Sequence, residues 1–131
     1  MSVAWISYAS VGLGSAVGAS LRYLISLWLV GSTFPWATLM VNILGSWLIA
    51  AFAAYASRRL TSSVARWQPF LMAGFCGGFT TFSLFGLETL HLLEKERTWL
   101  ALSYMLISVP LWLAGAWHGD RWGHRLAMAR R

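Results

Sequence analysis

Four apolar runs limit what this chain can fold into, near residues 3–30, 36–56, 70–93 and 99–117. Each is close to the roughly 20 residues a helix needs to cross the hydrocarbon core of a bilayer. Together they take up most of the 131 residues, leaving only short connections. With 58% hydrophobic and 11% charged residues and a mean hydropathy of +0.61, a soluble domain of this size could not hide its apolar surface. In hydrocarbon each backbone N–H and C=O must find a partner inside the protein, and runs of this length do so as helices. The expected fold is an all-α integral membrane protein, one domain over residues 1–131 with four transmembrane helices. Tryptophans mark the ends as interfacial anchors do: Trp5 and Trp28 on the first run, Trp36 on the second, Trp67 before the third, Trp99 and Trp117 on the fourth.

The first run is too long, and too free of an N-terminal basic cluster, to read as a signal peptide, so no cleavage is expected. The single cysteine, Cys76, cannot form an internal disulfide and reads as a small buried hydrophobe. A net charge of +6 raises the possibility of nucleic-acid binding, but the arginines flank the apolar runs, where basic side chains meet lipid headgroups. No nucleic-acid partner is expected; the partner surface is the lipid bilayer. Four spans put both termini and the second loop on one side. That side holds seven basic residues, Arg58, Arg59, Arg66, Arg121, Arg125, Arg130 and Arg131, against Lys95 and Arg97 opposite. The positive-inside rule favours a cytoplasmic location for the richer side.

The third run is the unusual one. Gly77 and Gly78 precede Phe79-Thr80-Thr81-Phe82-Ser83-Leu84-Phe85, so glycines and hydroxyls interrupt a membrane-grade segment. Backbone broken at membrane depth survives only where protein or a wet cavity satisfies it. A third helix broken near Gly77 to Thr80 is therefore expected to line a pathway or hold an ion. Phe82 and Phe85 share a face; their electropositive ring edges could hold a small anion, or the rings could be core packing. Thr80, Thr81 and Ser83 interleave hydroxyls with them.

On the second run Thr38, Asn42 and Ser46 recur every four residues and form a polar stripe. Asn42 is the costliest to bury, and either glues helices together or faces an ion; Ser46 is more simply a bond to its own backbone. Tyr104 and Ser108 could extend the track on the fourth run, where Pro110 frees a carbonyl one turn earlier. Glu88, one turn past Phe85, is either a functional intramembrane carboxylate or a snorkelling one. Its Glu-x-x-His step with His91 occurs once, too little for a di-metal centre, and His91 reads as interfacial. Arg22 is either a headgroup anchor or a vestibule cation. Gly14 and Gly18, with Ser15 and Ala19, permit close helix approach, within one subunit or across a dimer. No nucleophile, phosphate loop or metal-ligand spacing points to an enzyme.

These motifs, Gly14-x-x-x-Gly-Ala-x-x-Arg22-Tyr, Thr38-Leu-x-Val-Asn42-x-x-Gly-Ser and Gly74-Phe-x-Gly-Gly-Phe-Thr-Thr-Phe-Ser-x-Phe85, closely resemble the CrcB/Fluc family of fluoride channels. The resemblance covers all four spans. It implies an inverted, antiparallel homodimer in the bacterial inner membrane, with two antiparallel pores that passively export cytoplasmic fluoride. It implies that Asn42, Phe82, Phe85, Ser83 and Thr81 line the pore, that Thr38, Tyr104, Ser108 and Glu88 form its polar track, and that Arg22 lies in the vestibule. It further implies a structural sodium ion (Na+) on the dimer axis, held by the backbone carbonyls of Gly77 and Thr80. Dual topology requires half the copies to insert each way, which the arginine count opposes. The alternative reading is a small proton-coupled multidrug transporter, also built from four helices, with Glu88 as its proton carrier.

Overall fold

The computed structural model describes residues 3–129, so Arg130 and Arg131 lie outside the described residues. Among the described residues the secondary structure is helical throughout. Helix α1 spans Val3–Trp28, α2 Trp36–Arg58 and α3 Ser62–Gln68. A π-helical segment, Pro69–Cys76, continues α3 and is followed by a single turn, α4, at Gly77–Phe79. Helix α5 spans Phe82–Glu94 and α6 spans Thr98–Ala129. Among the described residues, three runs are long and apolar enough to cross a membrane: Trp36–Arg58, Ser62–Glu94 and Thr98–Ala129. Helix α1 has the length, at 26 residues, and a composition diluted by glycine and serine.

Several boundaries differ from the sequence expectation. The third run starts at Ser62, because Thr61 accepts a hydrogen bond from the Val64 N–H and caps a helix before the apolar stretch begins. Helix α6 does not stop near Trp117. It runs on to Ala129, and it passes through Pro110. Its extension is explained by Gly119 and Gly123, where an added Cβ would strike the backbone carbonyls of Trp47 and Ala51 on α2. Gly115 approaches Ile43 in the same way, so a glycine every four residues lets α6 lie directly on α2.

A second close approach joins α1 to the third run. A Cβ on Gly14 would meet the Phe70 carbonyl, one on Gly18 the Phe75 carbonyl, and one on Gly78 the Ser15 carbonyl. The Gly14/Gly18 stripe is thus spent on packing within the subunit. Gly77 is different: among the described residues nothing lies within 4 Å of where its Cβ would be.

The ends of the bundle sort the charges. Arg58 donates from Nε to His124 Nδ1 at 2.8 Å, and Arg59 donates from Nε to the Ala127 carbonyl at 2.9 Å, which ties the end of α2 to the end of α6. Ile6, Ser7 and Ser10 of α1 line a cleft with Ser62 and Arg66. The start of α1, the α2–α3 connection and the end of α6 therefore share one end. Lys95 lies at the other, beside Ser32 and Trp36.

Candidate functional site

The interruption in the third run falls at Thr80 and Thr81. Gly77 keeps helical angles (φ −63°, ψ −39°), whereas Thr80 (φ −85°, ψ 158°) and Thr81 (φ −155°, ψ 123°) are extended. The break thus sits at the C-terminal edge of the expected Gly77-to-Thr80 interval. The physical reason is that the glycines serve helix contact and opening, while the hydroxyl residues supply the bonds that let the chain leave the helix.

Those bonds account for the freed backbone. Asn42 Nδ2 donates to the Thr81 carbonyl at 2.9 Å, and the Thr81 N–H donates to Asn42 Oδ1 at 2.8 Å. One buried amide side chain therefore pairs both backbone groups of Thr81, as a neighbouring strand would. Thr81 Oγ1 accepts from the Leu84 N–H at 3.1 Å and caps α5, with Ser83 Oγ 3.3 Å away. Thr80 folds back, donating from Oγ1 to the Cys76 carbonyl at 2.8 Å. Arg22 donates from Nε to the Gly78 carbonyl at 3.2 Å, and Ser15 from Oγ to the Gly74 carbonyl at 3.3 Å. Arg22 is thus half-buried against the break itself.

These bonds divert two amides from their helical acceptors. In an unbroken helix the N–H of residue 81 would donate to the carbonyl of Gly77, and that of residue 84 to the carbonyl of Thr80. Here both amides donate to side chains, on Asn42 and Thr81, which releases the Gly77 and Thr80 carbonyls.

A second polar centre lies one turn along α2. Thr38 donates from Oγ1 to Glu88 Oε1 at 2.8 Å, and the Tyr104 hydroxyl donates to Glu88 Oε2 at 2.7 Å. Three elements, α2, α5 and α6, therefore meet at one carboxylate, each of whose oxygens has a hydroxyl donor. Thr38, Tyr104 and Ser108 are buried and Glu88 is half-buried, while His91 is exposed. Ser108 Oγ has no hydrogen-bond partner among the described residues.

The aromatic residues link the centres. Phe85 is 7% exposed and packs on Tyr104 (centroids 4.9 Å, 58°) and edge-on to Trp112 (4.9 Å, 76°). Phe82, 73% exposed, lies 5.5 Å from Phe85 and 6.5 Å from Trp112. A groove of about 310 Å³ runs beside them, lined by Asn42, Ser46, Gly77, Thr80, Phe82 and Trp112 among others. Sequence reasoning passed over Trp112. Its signal was available: it lies four residues after Ser108 and eight after Tyr104, on the same face of α6. Cys76 is buried, as its flanks suggest.

Membrane-length helices, one interrupted and side-chain-paired in mid-span, with hydroxyl, amide and aromatic groups along a groove, define a multi-pass membrane protein of the ion-pathway class. Residues 9–120 match the family described as CrcB-like protein, Camphor Resistance (CrcB). The chain is 44% identical over 124 residues to a fluoride-specific ion channel FluC 1 of Rhodopseudomonas palustris, covering 91% of this chain and 87% of that protein. It is 44% identical over 119 residues to the FluC of Paramagnetospirillum magneticum (87% and 92% covered) and 40% identical over 124 residues to that of Agrobacterium fabrum (92% and 98%). The protein belongs to the CrcB family.

Proposed function

We propose that this protein is a fluoride-selective passive channel of the bacterial inner membrane, exporting fluoride from the cytoplasm. It is a channel and not an enzyme. One observation carries the reading: in a chain related along most of its length to proteins named fluoride-specific ion channels, donors and ring edges converge on a membrane groove beside a broken helix.

The chemistry follows from the ion. Fluoride is small and strongly hydrated, so a selective path must replace its water with hydrogen-bond donors and electropositive ring edges, at sites weak enough to release it. Asn42, Thr81 and Ser83 surround the break; Thr38, Tyr104 and Ser108 lead toward Glu88; Phe82 and Phe85 present rings between the two. Arg22, close to the break, supplies positive charge that favours anion entry. The multidrug-transporter alternative gains nothing from the relatives or from Glu88, whose oxygens are occupied by Thr38 and Tyr104.

The working form in this reading has four spans, with α1 as the fourth, and is an inverted homodimer with two antiparallel pores. Its support is the mostly exposed Phe82 and the uncovered Gly77, which both line the groove. A second copy would cover them and complete each pore. The released carbonyls of Gly77 and Thr80 are hard oxygen donors that suit sodium, and two copies would offer four of them. When bound, the ion would neutralise carbonyl dipoles that the break leaves unpaired.

Liposome efflux tests the function: purified, reconstituted protein should release fluoride rapidly and leave chloride inside. Equal release of both ions, or of neither, would contradict the reading.

A further inference from the structure

We propose that the indole N–H of Trp112 is a fluoride donor in the conduction path, acting in series with the Ser108 hydroxyl. The inference rests on the channel reading and adds a residue to it. Trp112 Nε1 and Ser108 Oγ are both buried, and neither has a hydrogen-bond partner among the described residues. Buried donors are paired as a rule, so two orphans on adjacent turns call for an acceptor. The residues are four apart on α6, and Tyr104, one turn earlier, donates to Glu88. Ser108 and Trp112 therefore continue, as two open donors, the helix face on which Tyr104 is already paired.

The surroundings of Trp112 suit an anion. Its ring stands near-perpendicular to Phe85 and to Phe82 (interplanar 76° and 74°), and it lines the groove with Asn42 and Thr81. An indole N–H donates and never accepts, so it offers nothing to a cation. The nitrogen is covered by protein, beyond the reach of a lipid headgroup or a partner side chain at the surface. The rings of Phe82 and Phe85 stand beside it, so a dehydrated fluoride passing along them comes next to this nitrogen. Phenylalanine at this position would keep an aromatic ring and remove only the donor.

The test compares Trp112→Phe with Trp28→Phe, an exposed ring at the end of α1. Fluoride efflux from liposomes is measured for both variants, and unaltered protein labelled with 15N on its indoles is titrated with sodium fluoride and with sodium chloride. Trp112→Phe should slow fluoride efflux roughly tenfold, the loss expected for one donor, while Trp28→Phe stays within about twofold of the unaltered channel. The indole resonance missing from the Trp112→Phe spectrum should move downfield with fluoride and stay in place with chloride. Undiminished efflux in Trp112→Phe would overturn the proposal. So would a spectrum of unaltered, conducting protein in which fluoride moves no indole resonance at all, a readout that needs no variant. Unaltered protein that passes no fluoride would overturn the channel reading, and this inference with it.

Discussion

The two halves of the interrupted third run are held by different means. Upstream of Thr80, the π-helical segment and its following turn lie against α1 through bare backbone, with Gly14, Gly18, Gly74 and Gly78 leaving no room for side chains. Downstream, α5 is held by side-chain groups: the Asn42 amide, the Thr81 cap, the Thr38–Glu88–Tyr104 bonds and the stack of Phe85 on Tyr104 and Trp112. Backbone-to-backbone packing is rigid, and what it offers is carbonyl oxygen: Ser15 and Arg22 donate to the carbonyls of Gly74 and Gly78. Side-chain bonding at membrane depth is costly to satisfy and provides donors. The first half builds the frame and the second presents a path, with Thr80 and Thr81 as the joint.

Substitutions can break this contrast from either side, and the largest effect is expected upstream. Gly78→Val should cost about 3 kcal/mol or more, since its side chain would collide with the Ser15 backbone and neither partner can yield. Gly12→Ala, in open space, should be harmless. Thermal unfolding of the purified proteins in detergent compares the two. Next is Asn42→Ala, which leaves the Thr81 N–H and carbonyl unpaired. A destabilisation of about 1–3 kcal/mol is expected, together with at least a tenfold loss of fluoride flux.

Tyr104→Phe removes one of the two donors to Glu88 and should cost about 1 kcal/mol in stability, with a clear drop in efflux. Among the residues of the path, the smallest stability effect is expected for Phe82→Ile. The exposed ring contributes little to the fold, within about 0.5 kcal/mol, yet flux should still fall if its edge meets the ion. Phe85→Ile should lower both, being buried. The pair separates the frame from the path at two residues only three apart.

Much of the frame was legible in the sequence because hydrophobic run length is a direct demand of the bilayer. The second run, 36–56 as expected and Trp36–Arg58 as found, shows how well that works where nothing interferes. It failed at the end of α6, where charges and histidines after Trp117 look like a tail. The glycines at 115, 119 and 123, and the bonds from Trp47 to His118 and Arg58 to His124, extend the helix along α2 instead. The π-helical segment left no local signature, since it reflects how the third run accommodates α1. The polar stripe Thr38-x-x-x-Asn42 was readable from spacing, but its partners were not: nothing local says that Asn42 binds the backbone of Thr81, 39 residues away. Trp112 escaped notice because a tryptophan in a membrane helix looks like any other apolar residue until its N–H is found without an acceptor.

The contrast between frame and path stands on the protein conducting fluoride. Liposomes loaded with equal potassium fluoride and potassium chloride, and relieved of potassium by valinomycin, report both anions at once through ion-selective electrodes. The account predicts rapid, near-complete fluoride release with chloride retained. Chloride release at the fluoride rate, or no release of either anion from vesicles shown to contain folded protein, would contradict it.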